Sequence, residues 1–120
     1  MSVLQDFRLL ENLSAQQITA IETICRVDNY TAGDLILREG ELSAELYFLI
    51  AGSVTVYQTD LETRTQNQVK EISAGQAFGE IAFLNNARRS SSVRANAPSK
   101  VYILDRQTII DHLPDYLEIL

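Results

Sequence analysis

LYFLIAGSVTVYQ, residues 46–58, holds two short runs, LYFLI (46 to 50) and SVTVYQ (53 to 58), parted by Gly52. Aromatic and branched aliphatic side chains fit a pleated surface, and glycine reverses the chain where a positive φ would strain other residues. The stretch therefore predicts strand, turn, strand. The same grammar extends in both directions: LILRE (35 to 39), QVKEI (68 to 72), SSVRA (91 to 95), KVYIL (100 to 104) and a weaker run at 26 to 30. Gly33, Gly40 and Gly75 fall between such runs, and TDLETRTQN (59 to 67) reads as a polar hairpin connection with solvated charges. Short strands at regular spacing predict an all-β barrel or sandwich between residues 26 and 104, and exclude a purely helical architecture.

The flanks read as helices. Ser14 with Gln17 three residues later has the form of a capping box, Leu13 and Ile18 stand at the positions of a hydrophobic staple, and Ile18, Ile21 and Cys25 recur at helical spacing. An amphipathic helix over about 15 to 25 follows. At the other end Asp105 resembles an N-cap, Ile109, Ile110 and Leu113 give a short apolar face, and Pro114 suits the first turn of a further helix, DYLEIL.

Composition narrows the function. The chain has 120 residues and a net charge of -6, from 16 acidic against 10 basic residues, which suits one soluble domain over residues 1–120 and disfavours a surface that holds nucleic acid directly. One cysteine, Cys25, makes no internal disulfide, and one histidine, His112, builds no multi-histidine metal site; no metal or other cofactor is expected. Cys25 reads as packing, since no base stands near it in a recognisable motif. The N-terminus lacks the pattern of a signal peptide and nothing approaches the ~18 apolar residues of a membrane helix, so no membrane contact and a cytoplasmic location are the expectation.

Charge is unevenly placed. Between Glu80 and Asp105 stand Arg88, Arg89, Arg94 and Lys100 with no acid among them, whereas the rest of the chain has six basic residues against sixteen acidic. Just before them Gly79 opens the apolar stretch IAFL, compatible with a helical turn whose unpaired amides face an anion. Arginine suits such a place because its planar fork donates two parallel hydrogen bonds to phosphate oxygens. On charge alone an Arg-Arg pair on a loop reads as a solvated surface. Glu80 changes the balance: a carboxylate beside an anion site is repulsive unless the same ligand donates to it, as a ribose hydroxyl does. Arginine for phosphate and glutamate for sugar suggest a nucleotide.

The stretch FGEIAFLNNARRSSSVRA, residues 78 to 95, resembles the phosphate-binding cassette of cyclic nucleotide-binding domains: Phe78, Gly79, Glu80, Ile81, Ala82, Arg89, Ser92, Val93 and Ala95 fall in step with that pattern. The resemblance extends through YTAGDLILREG and LYFLIAGSVTVY to nearly the whole chain. It implies a mainly β fold, a jelly-roll-like β-roll (double-stranded β-helix) with N- and C-terminal helices, binding cAMP or cGMP. By that resemblance Arg89 pairs with the phosphate oxygens, Glu80 accepts from the ribose 2'-hydroxyl, and the amides of Ala82 and Ser90 face the phosphate. Gly79 lets the backbone approach the sugar, Ile81 gives apolar contact, and the Ser90 hydroxyl is a further donor. Two features depart from the family. Arg88 stands where many members have proline, and the short C-terminus offers only Tyr116, Leu117 and Leu120 as a lid over the base. The expected role is a regulatory module that relays occupancy through C-terminal helices to an effector protein or a homodimer contact. The alternative is an interaction or scaffold domain with the same fold and a lost or retuned pocket. Catalysis is not expected: a cupin-type oxygenase draws on two or three histidines, and no nucleophile and base accompany Glu80.

Overall fold

The computed structural model describes residues 2–118; Leu120, one of the lid candidates, lies outside the described residues. The unbroken apolar run LYFLI has a direct cause in the architecture, because its strand is covered on both faces. Among the described residues eight strands form two four-stranded antiparallel sheets: β1 (Arg26–Tyr30), β8 (Ser99–Asp105), β3 (Glu45–Ala51) and β6 (Ala77–Phe78) in that spatial order, and β2 (Leu35–Leu37), β7 (Ser92–Ala95), β4 (Ser53–Asp60) and β5 (Thr65–Ser73) in the other. Successive side chains alternate across a strand. On β3, Leu46 and Phe48 join the cluster beneath the helices with Leu4, Phe7, Leu10, Ile18 and Ile21, while Tyr47 and Leu49 join Val54, Val56, Val93, Val101 and Ile103 between the sheets.

The helical caps form as their residues predict. In α1 (Ala15–Ile24) the Gln17 amide donates to Ser14 Oγ at 3.1 Å and the Ser14 amide donates to Gln17 Oε1 at 2.8 Å. Asp105 accepts from the Gln107 amide at 2.9 Å at the start of α3 (Arg106–His112). Ile109 of α3 is fully buried and Leu113 packs against the core, but Ile110 is 41% exposed. Ile110 is removed from the predicted apolar face because it lies about 100° around the helix from Ile109, whereas Leu113 is one turn on. Cys25 sits half-buried at the C-cap of α1, where burial, aided by Glu22, pushes the thiol up to about 12.

Several boundaries move. β4 runs to Asp60 and β5 starts at Thr65, so the expected connection over 59 to 67 shrinks to a four-residue turn in which Asp60 Oδ1 accepts from the Glu62 amide at 2.9 Å. Residues 65–71 are all exposed, so the hairpin tip lacks the apolar alternation that marks a half-buried strand. A 3-10 turn at Arg8–Leu10, which carries the fully buried Leu10, and the two-residue β6 add to the predicted elements. Pro114 opens a 3-10 turn to Glu118, and Tyr116 and Leu117 pack against the cluster under the helices.

Candidate functional site

The site begins at Gly79. Its φ of 83° lies in the left-handed region, and it forms the N-cap of α2 (Glu80–Asn85), whose first amides no side chain caps. A β-carbon on Gly79 would lie 2.7 Å from Arg89 Nη1 and 3.0 Å from the Glu45 carbonyl oxygen. The position is thus restricted twice, by backbone conformation and by the arginine that fills the space.

Arg89 is 4% exposed. Its Nη1 donates to the Gly79 carbonyl at 3.0 Å, and Nη2 donates to the Glu45 carbonyl at 2.7 Å and to Ser43 Oγ at 3.1 Å. The guanidinium carbon stands 5.8 Å from the centroid of the Tyr47 ring, which stacks in turn on Phe78 at 5.0 Å. Tyr47 Oη donates to Glu45 Oε1 at 2.9 Å, and Arg26 donates to Glu45 Oε2 at 2.9 Å. Burial pushes the Arg89 pKa down, partly opposed by Tyr47, Glu45 and Glu80, yet a guanidinium keeps its charge. Among the described residues no carboxylate forms an ion pair with Arg89, and its buried Nε has no hydrogen-bond partner. A buried cation with a spare donor is costly unless an anion completes it.

The six residues singled out in the sequence, Gly79, Glu80, Ile81, Ala82, Arg89 and Ser90, all line one cavity of about 130 Å³. Ala82 is buried, Ile81 is 59% exposed, and Ser90 stands at the exposed rim. The volume is below the roughly 300–1,000 Å³ of ligand pockets in general. Glu80 also borders a second hollow, of about 670 Å³, between the 7–12 segment and the turn at 75–77. Arg88 is exposed, lines the first cavity, and donates to the Gly40 carbonyl at 3.0 Å. Tyr116 and Leu117 do not line that cavity. Behind it Arg106, the first residue of α3, donates from Nη1 to the carbonyls of Phe83 at 2.8 Å and Leu84 at 3.0 Å, tying α3 to the last turn of α2.

Sequence reasoning missed Ser43, Glu45 and Tyr47, which hold the guanidinium from 42 or more residues away in the chain, and Lys70, which lines the same cavity from β5. None belongs to a local motif; a tyrosine and a glutamate in an otherwise apolar strand are the faint signal available.

The pattern of the family described as cyclic nucleotide-binding domain matches residues 27–115. Cyclic GMP-dependent protein kinase, isozyme 1, of Drosophila melanogaster is 34% identical over 106 residues, which cover 87% of this chain and 13% of the kinase. The potassium/sodium hyperpolarization-activated cyclic nucleotide-gated channel 2 of Mus musculus is 32% identical over 108 residues, 90% of this chain and 12% of the channel. The chain therefore spans about an eighth of the length of these relatives. Among solved structures, the regulatory domain of Toxoplasma gondii PKA with cAMP has a TM-score of 0.86 at 26% identity, covering 98% of this chain and 45% of that one. A mutant regulatory subunit of a cAMP-independent protein kinase A from Trypanosoma brucei, bound to cAMP in its A site, has a TM-score of 0.85 at 26% identity, covering 98% and 43%. That mutant replaces a glutamate by alanine, a threonine seven positions later by arginine, and the next residue, valine, by alanine. Fold, cavity and matched pattern agree, and the chain belongs to the cyclic nucleotide-binding domain family.

Proposed function

We propose that this domain is a regulatory module, not an enzyme, that binds cAMP or cGMP in the cavity between α2 and the second sheet. The cyclic phosphate sits against Arg89 and the amides of Ala82 and Ser90, with the Ser90 hydroxyl as a further donor. Glu80 accepts from the ribose 2'-hydroxyl, Gly79 gives the sugar room, and Ile81 covers it. The observation that carries the reading is Arg89: a buried guanidinium with no acid partner among the described residues and with Nε unpaired, beside a carboxylate on the same cavity. Alanine and arginine at the spacing of the first two Trypanosoma brucei substitutions are present here as Ala82 and Arg89, with Ser90 next, which supports a phosphate-bearing ligand. Occupancy passes to an effector protein or a second copy through the C-terminal helices, since the Arg106 bonds to the end of α2 make α3 follow any movement of the cassette. A ligand drives such a shift only by its different affinity for the two states.

The test is calorimetric titration with cAMP and with cGMP. Arg89→Ala is expected to lose on the order of 100-fold or more in affinity, since it removes charge-assisted bonds of roughly 1.5–3 kcal/mol each. Arg88→Ala loses a few-fold, in a manner that salt screens. Parent-like binding by Arg89→Ala, or no binding of either nucleotide by the parent, would overturn the proposal; the latter outcome would favour a scaffold with a retuned pocket.

A further inference from the structure

Glu45 meets the guanidinium of Arg89 with its backbone and turns its side chain elsewhere. Its carbonyl accepts from Arg89 Nη2 at 2.7 Å, whereas its carboxylate is held at both oxygens: Oε1 accepts from Tyr47 Oη and Oε2 from Arg26 Nη2, each at 2.9 Å. The register explains how Arg26 reaches it. Arg26 on β1 is paired with Ile103 on β8, and Ile103 with Tyr47 on β3, so Arg26 and Tyr47 stand in one cross-strand row. Paired residues share a face of the sheet, and Glu45, two residues before Tyr47, shares that face too. Arg26 thus takes hold of the carboxylate from across β8, while Asp28 accepts from Arg26 Nε at 3.5 Å and steadies its fork. On the other side the Tyr47 ring, whose hydroxyl holds the same carboxylate, lies 5.8 Å from the guanidinium carbon of Arg89. An acid therefore stands one aromatic ring away from a buried cation with which, among the described residues, no acid pairs.

We infer that Arg26 is a positioning residue of the anion site, a role that rests on the cyclic-nucleotide reading of the cavity: by holding the Glu45 carboxylate on the β1 side, it keeps Arg89 free for the phosphate. A carboxylate and a phosphate compete for the same N–H donors, and the planar fork of arginine accepts either in a bidentate pair. Glu45 is the acid best placed to compete, because Arg89 already bonds its carbonyl and only its own side chain has to turn. The side chains of Arg26 and Glu45 are 51% and 22% exposed, so their ion pair adds little to stability. Its consequence lies in where it leaves the negative charge. If a freed carboxylate occupies Arg89 in roughly nine molecules of ten, only the remaining fraction binds ligand and the apparent dissociation constant rises about tenfold. The effect falls on the phosphate, so cAMP and cGMP are weakened alike.

The experiment is calorimetric titration with cAMP and with cGMP of the parent, Arg26→Met, and two double variants, Arg26→Met/Glu45→Gln and Arg26→Met/Asp28→Asn. Methionine keeps an unbranched stem and removes the cation. Glutamine keeps the backbone carbonyl that Arg89 bonds and an acceptor for Tyr47, but it carries no charge to set against the phosphate. Asp28→Asn restores the same net charge and leaves the Glu45 carboxylate free. Arg26→Met is expected to raise both dissociation constants about tenfold; adding Glu45→Gln should return them close to the parent values, and adding Asp28→Asn should not. Far-ultraviolet circular dichroism checks that each variant is folded. Should Arg26→Met not fold, Tyr47→Phe releases the same carboxylate from its other holder with the ring kept beside Arg89, and the same Glu45→Gln rescue judges it. Parent-like affinity in Arg26→Met, a loss that Glu45→Gln leaves in place, or equal rescue by Asp28→Asn would overturn the inference, the last by reducing Arg26 to one charge among others. In each of these cases the binding of cyclic nucleotides itself stands. Absence of binding by the parent to either nucleotide would instead remove the reading of the cavity on which the role of Arg26 depends.

Discussion

Gly79→Ala tests whether the glycine and the guanidinium are mechanically coupled. Two costs add. A side chain at φ 83° costs roughly 1–2 kcal/mol from backbone conformation alone. The new methyl would also lie 2.7 Å from Arg89 Nη1 and 3.0 Å from the Glu45 carbonyl oxygen, so the guanidinium must move away from the Gly79 and Glu45 carbonyls it now bonds. Weakening one hydrogen bond of a charged group costs roughly 1.5–3 kcal/mol. Gly75→Ala supplies the control: its φ is 95° and a β-carbon there meets nothing within 4 Å, so it carries the backbone cost by itself. Urea unfolding of the ligand-free protein should therefore place Gly79→Ala about 1.5–3 kcal/mol below Gly75→Ala. In an Arg89→Ala background the guanidinium is gone while the Glu45 carbonyl oxygen stays 3.0 Å away, so the cost of Gly79→Ala should fall toward that of Gly75→Ala, a coupling visible as non-additivity in a double-mutant cycle. Equal costs for the two glycines in the parent, or additive costs in the cycle, would refute the reasoning that the arginine fills the space of the missing side chain.

Three further expectations follow from the packing. The Cys25 thiol is raised from 9.0 to about 12 by burial, so the unfolded chain loses this proton first; stability should hold below pH 9 and decline above it by up to about 1.4 kcal/mol per pH unit, and Cys25→Ala should flatten the decline measured by urea unfolding between pH 8 and pH 10. Phe48 is fully buried, with its ring edge-on to Phe7 at 5.1 Å, and Phe48→Ala should cost about 3–5 kcal/mol in the same assay. Arg106→Met removes both bonds to the end of α2, and hydrogen exchange should show faster opening of residues 106–112 with α1 unchanged.

Local chemistry was readable because it acts over a few residues. Ser14 with Gln17 and Asp105 with Gln107 cap their helices wherever the rest of the chain goes. Strands with a buried face announced themselves through aromatic and branched residues, and Gly79, Glu80 and Arg89 were legible as a motif because a single short segment carries all three. The hairpin tip of β4 and β5 was read too short because both its faces are solvated and backbone pairing alone extends it. Ile110 was misplaced because three apolar residues near a helix end do not say which of them meets the core.

The amino-acid order by itself determined where most strands and the two α-helices that flank them lie, where α1 and α3 begin, and that one arginine and one glutamate stand nine residues apart on a cassette, since propensity, capping and motif spacing are local. The tertiary structure decided what surrounds that arginine and what shares its cavity: the carbonyl of Glu45, the hydroxyl of Ser43, the ring of Tyr47, and the side chains of Leu37, Val56 and Lys70 from the second sheet. These neighbours come from strands far apart in the chain, and only the register and stacking of two twisted sheets bring their side chains to one cavity.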